Sequence, residues 1–510
     1  MPEINRGQVA QTLCLPSPIG GLNTKDSLAE MPVTDAPLMV NWWPMPTMIE
    51  MRQGSALLAN LSGAGQVNSL FPYNGAGSSQ ALIAASGTSI YVLPSPGFTP
   101  TQYSGYTSDK WSAAQISTPG GQFLAMVNGS DPYMTWNGSA WTVQTVTGVT
   151  TSNLNFVALI QQRLWFVQKN SLVAWYLPIQ SIAGAASYLD LGAIVRKGGN
   201  LVAISNWTVS GGFGEQALTA FITDQGELVI YEGYDPTQAS TWSLVGIYEF
   251  GAPLSNQCFL KQGTDLLLLT KEGVLSMQRG QFFVDASAQK SAVTDKIQST
   301  ITGAAQLYRG NYGWTMAAYP IANALIVNVP VNVGSQQQYA MNTLTGAWTN
   351  FQGWAANCFA VLNDQLFFGT NGAVYQAWIG NSDNGAAIYA DCIQAYSDLG
   401  LPGRFKQLIS ARPIVTQAGN VSYSIGSSLD FSLDSAYGMS TPQSLASQDL
   451  VWDTGKWDQN YWGGDIGTLV SAQQYFGGIA RNVGIRLKAN GSYAFAWAAT
   501  DVSFVPGSYM

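Results

Sequence analysis

The sequence contains no histidine, and this excludes most familiar catalytic chemistry. Ser-His-Asp and Cys-His catalysis and every His-containing zinc site need that residue. No glycine-rich phosphate-binding motif of the G-x-G-x-x-G or G-x-x-x-x-G-K-[ST] type is recognisable at the start of a helix. The four cysteines form no C-x-x-C pair, which excludes ordinary Cys-only metal sites and favours small buried residues. They are Cys14, Cys258, Cys358 and Cys392.

Carboxylates are the remaining candidates for catalysis, as the acid pair of a glycosidase. The candidates are Asp224 with Glu227, Asp265, Glu272, Asp364, and the group Asp453, Asp458 and Asp465. Most of the first five adjoin predicted hairpin turns, where such side chains bond nearby backbone amides. The last group lies among Trp452, Trp457 and Trp462, and a tryptophan beside an aspartate can form a sugar platform. We expect structural roles for the turn carboxylates, no catalytic residue, no cofactor and no metal.

The turns that hold these carboxylates belong to a hairpin that recurs along the chain. Residues 266–280, LLLLTKEGVLSMQRG, show it: an apolar run, a turn with glycine, and an alternating strand. Propeller blades are four-stranded sheets that repeat about every 40–50 residues, and the turns recur at similar intervals. The turn residues are Gly87, Gly129, Asn170, Gly226, Gly273, Gly334 and Gly372.

A second repeated element places a tryptophan before Thr or Ser. It occurs at 137–142, 345–349, 109–112 and 240–243. We expect it in the outer hairpin of a blade, with the Trp packed between neighbouring sheets. The chain is thus predicted to be all-β, a β-propeller of about six or seven blades. A β-sandwich or β-helix with coincidental spacing is the alternative.

The propeller is predicted to span residues 55–385, with a different segment on each side. Residues 1–54 carry prolines that prevent a long helix, so they form an extended N-terminal arm. This arm cannot bury its aromatic residues alone and must lie along its own body or a neighbour. Residues 386–510 form a C-terminal β lobe resembling a sandwich.

The charge balance argues against a nucleic-acid-binding surface and for assembly. Charged residues make up 10% of the chain, against roughly 25% in soluble proteins. With 21 basic and 29 acidic residues the net charge is −8, and no run of Lys and Arg with interleaved aromatic residues is recognisable. Low charge with 17 Trp is typical of surfaces that neighbouring subunits cover, although a neutral extracellular β protein is the alternative. No signal peptide or membrane span is recognisable, which predicts synthesis in a cytoplasm.

The arm and the end of the chain resemble the tail nozzle proteins of short-tailed bacteriophages, also called tail hubs or tail tubular proteins B. The arm contributes a GGLNT turn (20–24), an acidic segment with prolines (26–37), Asn41-Trp42, and an Arg-x-Gly at 52–54. The end contributes GIRLKANG and FAWAATDVSFVPG within residues 484–507.

This resemblance implies a structural virion protein of the tail rather than an enzyme. Nozzle proteins form a homohexameric ring below the adaptor (head–tail connector). The ring extends and closes the DNA-ejection channel and carries tail fibres or a needle. Viral DNA would pass without sequence-specific binding, and no membrane span is implied. The expected assembly-interface residues are Asn23, Asn41, Trp42, Trp43, Arg52, Trp452, Trp457 and Trp462. The alternatives are a receptor-binding or glycan-binding tail protein and, less favoured, a polysaccharide-degrading tail enzyme.

Overall fold

A computed structural model describes residues 9–75, 79–210, 215–238, 240–280, 292–433, 439–441, 443–444, 468–470 and 472–507. Almost every element in this part of the chain is a β-strand. The fold is a β-propeller preceded by an arm and followed by a β lobe, as the sequence predicted.

The arm is extended and contains only short strands, because its prolines restrict the backbone to β and turn conformations. They are β1 (Gln11–Pro16), β2 (Gly21–Leu22), β3 (Asp35–Ala36), β4 (Leu38–Val40), β5 (Trp42–Pro44) and β6 (Ile49–Met51). The next strand, β7 (Ser55–Asn60), belongs to the propeller.

Four blades follow in chain order. The strands in this part of the chain are β8 (Val67–Asn74), β9 (Gln80–Ser86), β10 (Ser89–Ser95), β11 (Thr101–Ser104), β12 (Ser112–Thr118), β13 (Gly121–Val127), β14 (Met134–Trp136), β15 (Trp141–Val143), β16 (Val146–Thr147), β17 (Leu154–Ile160), β18 (Arg163–Gln168), β19 (Val173–Tyr176), β20 (Gly184–Ala185), β21 (Ser187–Asp190), β22 (Leu201–Ser210), β23 (Glu215–Thr223), β24 (Glu227–Gly233) and β25 (Trp242–Glu249). Blade 1 is β8–β11, blade 2 is β12–β15, blade 3 is β17–β19 with β21, and blade 4 is β22–β25. Strands β16 and β20 pair separately.

Blades 5 to 7 include the two short α-helices of the described chain. The elements are β26 (Phe259–Gln262), β27 (Asp265–Thr270), β28 (Gly273–Ser276), α1 (Met277–Gly280), α2 (Gln298–Tyr308), β29 (Thr315–Tyr319), β30 (Ala324–Asn332), β31 (Ser335–Asn342), β32 (Ala347–Phe351), β33 (Cys358–Leu362), β34 (Gln365–Gly369), β35 (Ala373–Ala377) and β36 (Ser382–Asp383). Blade 5 is β26–β28 in the described residues, blade 6 is β29–β32, and blade 7 is β33–β35 with β7. Over the described ranges, neither helix is long and apolar enough to cross a membrane.

The seven blades form a closed ring around their first strands. Each first strand contacts the first strand of the next blade, and β33 of blade 7 contacts β8 of blade 1. Blade 7 is completed by β7, which pairs antiparallel with β35 in a register that places Asn60 opposite Ala373. The propeller therefore closes with a strand from the start of the chain.

All seven turn residues singled out in the sequence have positive φ, between 56° and 114°. Each lies at the turn between the second and third strands of its blade. Glycine and asparagine tolerate this left-handed backbone, which explains their recurrence. The repeated turn is therefore a confirmed signature of the blade.

The lobe is built from two sheets whose strands come from both ends of the chain. Its own strands are β37 (Ala386–Ile393), β38 (Lys406–Gln417), β39 (Ser422–Leu429), β40 (Gln443–Ser444), β41 (Thr468–Val470), β42 (Gln474–Ala480), β43 (Val483–Gly491) and β44 (Phe495–Pro506). One sheet contains β38, β41, β42 and β44 with β1, β5 and β6 of the arm. The other contains β37, β39, β40 and β43 with β4 of the arm. Tyr423 and Phe495 connect the two sheets with ring centroids 5.6 Å apart.

The arm thus lies along its own body, one of the two possibilities that the sequence left open. Strand β1 pairs with β44 over six residues, and β4 connects β32 of blade 6 to β37 of the lobe. From there the sheet continues through β36 and β7 into blade 7. One continuous hydrogen-bonded path therefore links blade 6, the arm, the lobe and blade 7.

Candidate functional site

The region where this path crosses the arm holds most of the residues singled out in the arm. We call it the joint, and it consists of Asn41, Arg52, Trp354 and Asp383 with the strands that flank them. Asn41 precedes β5 and Arg52 follows β6, so the pairing of these two strands brings them together, and Asp383 is the last residue of β36. The joint is therefore assembled from residues more than 300 positions apart in the chain.

Arg52 is the centre of the joint and is only 1% exposed. Its guanidinium forms a two-pronged ion pair with Asp383, with N–O distances of 3.0 and 2.6 Å. Its Nη2 also donates to the carbonyl oxygen of Gln352 at 2.7 Å. The guanidinium carbon lies 4.9 Å from the ring centroid of Trp354. A planar guanidinium meets all these partners at once, which the point charge of a lysine would not do.

Asn41 connects three parts of the protein through one side chain. Its Oδ1 accepts hydrogen bonds from Arg52 Nε at 2.9 Å and from the amide of Gln352 at 2.8 Å. Its Nδ2 donates to the carbonyl of Tyr389 in the lobe at 2.8 Å. The backbone has a φ of 58°, a left-handed conformation that asparagine tolerates better than most residues. An asparagine therefore suits both the geometry and the bonding at this position.

Trp42 and Trp43 are both buried, and they point into different cores. Successive side chains of a strand face opposite sides, so neighbours on β5 separate. Trp42 packs against Phe495 and Trp497 of the lobe, at centroid distances of 5.9 and 6.1 Å. Trp43 packs against Phe351 of blade 6 at 5.9 Å and belongs to the core shared by blades 6 and 7. The Trp-Trp pair therefore fastens the arm to the lobe on one side and to the propeller on the other.

Asn23 lies in a second polar cluster, away from the joint. Its Nδ2 donates to Asp26 and Asp35, at 2.8 Å in each case. Asp35 is buried and pairs with Lys296, at an N–O distance of 2.9 Å. The neighbouring Gly21 has a φ of 81°, and a Cβ there would lie 2.5 Å from the carbonyl oxygen of Trp348. The GGLNT turn is thus fitted against blade 6 and the segment before α2.

The five arm residues predicted for an assembly interface are therefore buried within their own chain. Their exposed fractions are 1% for Asn23, 5% for Asn41, 0% for Trp42, 7% for Trp43 and 1% for Arg52. The side chains make contacts that fix the arm, so any interface at the arm would use its exposed residues instead. Trp452, Trp457 and Trp462 lie outside the described residues, as does the aspartate group around them.

Sequence reasoning missed the partners of these residues. Asp383 lies in NSDNG, which looks like an ordinary turn, and Trp354 follows a glycine without forming a repeat. No sequence pattern around Lys296 indicated that it would pair with Asp35 of the arm. The only hint was the position of Arg52 between two short apolar segments, because an arginine that becomes buried there needs a carboxylate partner somewhere in the chain.

Two of the turn carboxylates accept hydrogen bonds that hold a neighbouring segment in place. Glu227 is fully buried, and its carboxylate accepts hydrogen bonds from the amides of Arg196 and Lys197. Asp224 accepts two hydrogen bonds from Asn200, at 2.9 and 3.0 Å. No cluster of three or more His, Cys, Asp or Glu suited to a metal occurs in the described part of the chain. Three cysteines are buried as expected, but Cys14 on β1 is exposed.

The carboxylate of Glu50, near the joint, is destabilised by burial. Glu50 on β6 is half-buried between β5 and β44, and burial raises the pKa of its carboxyl above the ordinary value. A carboxylate loses hydration on burial, so the protonated form is favoured. The arm therefore carries both a well-paired charge, Arg52, and one that is costly to ionise.

Comparison with known proteins finds similar solved structures but no matching family. No family model matches the chain, and no curated protein matches it. Among solved structures the chain is similar to the computationally designed Ika8 protein (TM-score 0.38, 11% identity) and to BBS1N in complex with ARL6DN (0.40, 10%). It is also similar to a chain of the mitotic checkpoint complex (0.38, 8%). Each match covers 64% of this chain and 100%, 96% and 93% of the other chains, respectively.

Proposed function

We propose that this protein is a structural subunit of the tail of a short-tailed bacteriophage, acting as its nozzle or hub. Copies would form a ring, six by analogy with the nozzle family, below the adaptor. The ring would extend and close the DNA-ejection channel and anchor tail fibres or a needle. The protein would be made in the host cytoplasm and function in the virion.

The observation that carries this proposal is where the family-like motifs lie. The GGLNT turn, Asn41 and Arg52 are spread over 33 positions of the arm, yet each of them fastens the arm to the propeller. Through Trp42 and Asn41 the arm also holds the lobe. A shared motif of this kind would preserve a fixed arrangement of propeller and lobe. A ring that closes against packed DNA needs such rigid subunits.

Charge supports the same proposal. The chain has a net charge of −8, which disfavours tight binding to phosphates. The first strands of the seven blades contain one charged residue among those described, Lys261. Low charge also favours close contacts between subunits, because charged residues are depleted in the cores of interfaces.

The test is assembly with the partners that a nozzle needs. The purified chain is mixed with the portal and adaptor proteins of the same phage and imaged by electron microscopy. We expect a ring attached below the adaptor. A chain that stays monomeric and unattached contradicts the proposal. Binding on a glycan array without any ring would instead support the receptor-binding alternative.

Truncation of the arm is a poor test of docking. Residues 1–54 supply β4 to one lobe sheet and β1, β5 and β6 to the other. Their removal would uncover Trp348 and Trp497, which are now buried. We therefore expect truncation to unfold the lobe. Removing residues 1–16 alone takes away one edge strand and leaves Trp42, Trp43 and the joint in place.

A further inference from the structure

The outer strands of blades 1 to 4 differ sharply in length. Strands β11, β15 and β21 have four, three and four residues, whereas β25 of blade 4 has eight. In the described residues β25 pairs only with β24, so its other edge is open. Short edge strands are one way in which proteins avoid pairing with other chains. Blade 4 lacks that protection.

The open edge of β25 also presents apolar side chains. Leu244 and Val245 are 43% and 42% exposed, and they stand side by side because the register shifts at this point. The only charged residue of the strand is Glu249, its last residue. Glu249 is 62% exposed and pairs with the exposed Lys197, an arrangement that adds little stability. Its carboxylate is thus accessible to another cation.

The lobe has a matching edge at β42. This seven-residue strand pairs only with β38 in the described chain. Tyr475 and Ile479 are 74% and 64% exposed on its outer side. The strand itself has no charged residue, and Arg481 follows directly after it with its guanidinium 4.7 Å from the ring of Phe405.

The two edges have opposite charge. Strands β24 and β25 contain acidic residues and no basic one, with Glu232 and Glu249 outside the core. Strands β38 and β42 contain basic residues and no acidic one, namely Lys406 and Arg412, and Arg481 is adjacent. Arg412 pairs with Asp501, so Arg481 is the cation available at the edge. An apolar centre with complementary charges at its rim is typical of a specific interface.

We infer that β25 of one copy packs against β42 of a second copy, in a head-to-tail contact. Leu244 and Val245 would meet Tyr475 and Ile479, with Glu249 near Arg481. Both halves of the surface occur on every chain, so the same contact repeats from copy to copy and closes a ring if the rotation permits. The inference rests on the proposed function for its partner, a second copy, but it specifies which surfaces meet.

The experiment uses two exposed substitutions, one on each half of the surface. Val245→Arg damages the blade edge, and Ile479→Arg damages the lobe edge. Each full-length variant is examined by native mass spectrometry beside the native chain. We expect the native chain to form rings and each variant to self-associate at least tenfold more weakly. An equal mixture of the two variants retains one intact contact, so it should form dimers and nothing larger.

A matched control and three outcomes make the test decisive. Val143→Arg changes an exposed valine on the short outer strand of blade 2 and should leave ring formation unchanged. Native rings that survive both edge substitutions would overturn this inference and leave the proposed function standing. A native chain that remains monomeric, alone and with the adaptor, would overturn both. Dimers formed by either variant alone would also contradict a head-to-tail contact.

Discussion

Blade 6 and blade 4 have the same order of four antiparallel strands, yet their outer strands lie in opposite surroundings. All five residues of β32 in blade 6 are buried, because β2 and β4 of the arm pair with it. In blade 4, β25 has four exposed residues and an open edge. The sequence repeat determines the four-stranded structure of each blade, whereas strands outside the repeat cover the outer edge of some blades and not of others. The propeller thus has a closed side and an open side.

The largest expected effect concerns the buried charge on the closed side. Arg52→Met leaves the Asp383 carboxylate without its cation and removes one of the two donors to Asn41 Oδ1, and breaking a buried ion pair in this way costs about 3–5 kcal/mol. Urea unfolding followed by tryptophan fluorescence measures the loss. Arg52→Lys should recover only part of it, because an ammonium cannot make the two-pronged contact.

The matched control lies on the open side. Lys197→Met breaks the exposed pair with Glu249 on blade 4 and should leave the unfolding midpoint unchanged. Equal losses in Arg52→Met and Lys197→Met would mean that the two sides do not differ in this respect.

A smaller effect is expected at Asn41. Asn41→Ala removes the acceptor for Arg52 Nε and places alanine at a φ of 58°, with a combined loss of about 2–3 kcal/mol. Asn41→Gly loses the same hydrogen bonds without the backbone cost, so it should be more stable than the alanine variant by about 1 kcal/mol. The same urea titration measures both. An alanine variant as stable as the glycine variant would show that the left-handed backbone is not maintained.

The smallest effect depends on pH. Because burial raises the pKa of Glu50, the unfolded chain loses this proton at a lower pH than the folded chain. Between the two pKa values the folded state binds more protons, so stability falls as pH rises. Glu50→Gln cannot ionise, so it avoids this fall in stability. The substitution should raise the melting temperature at pH 7 but not below pH 4.

Calorimetry across this range tests the prediction, with Glu30→Gln, an exposed residue of the same arm, as control. A gain at pH 7 that persists at low pH would point to a cause other than the charge.

The blades could be predicted from sequence because their signals are local. A glycine or asparagine with positive φ between two apolar strands depends on neighbouring residues alone, and all seven such turns fell where the repeat placed them. Trp141 and Trp242 also lie in outer hairpins and contact aromatic rings of the preceding blade, as the Trp-Thr/Ser element predicted. The 109–112 copy was misplaced, since Trp111 precedes the first strand of blade 2.

The joint could not be predicted because its partners are remote. The sequence singled out Asn41 and Arg52, but nothing near them identifies Asp383 or Tyr389. Asparagine, tryptophan and arginine are also common on exposed binding surfaces, so the sequence alone predicts an assembly interface at these positions. Only the register of β4, β7 and β36 shows that these side chains meet inside the protein.

The pairing of the chain's first strands with its last residues has a consequence for synthesis. Strand β1 pairs with β44, and Arg52 pairs with Asp383, so the arm has no partner until most of the chain has been made. At about 5–20 residues per second, the arm of a nascent chain waits roughly 15–65 s for residue 383 to be added. A chain that ends before Cys358 would lack both the strands β33–β35 of the last blade and the Asp383 of the joint. Completion of the polypeptide thereby acts as a checkpoint, because only chains that include the lobe acquire the fixed arrangement of arm, propeller and lobe.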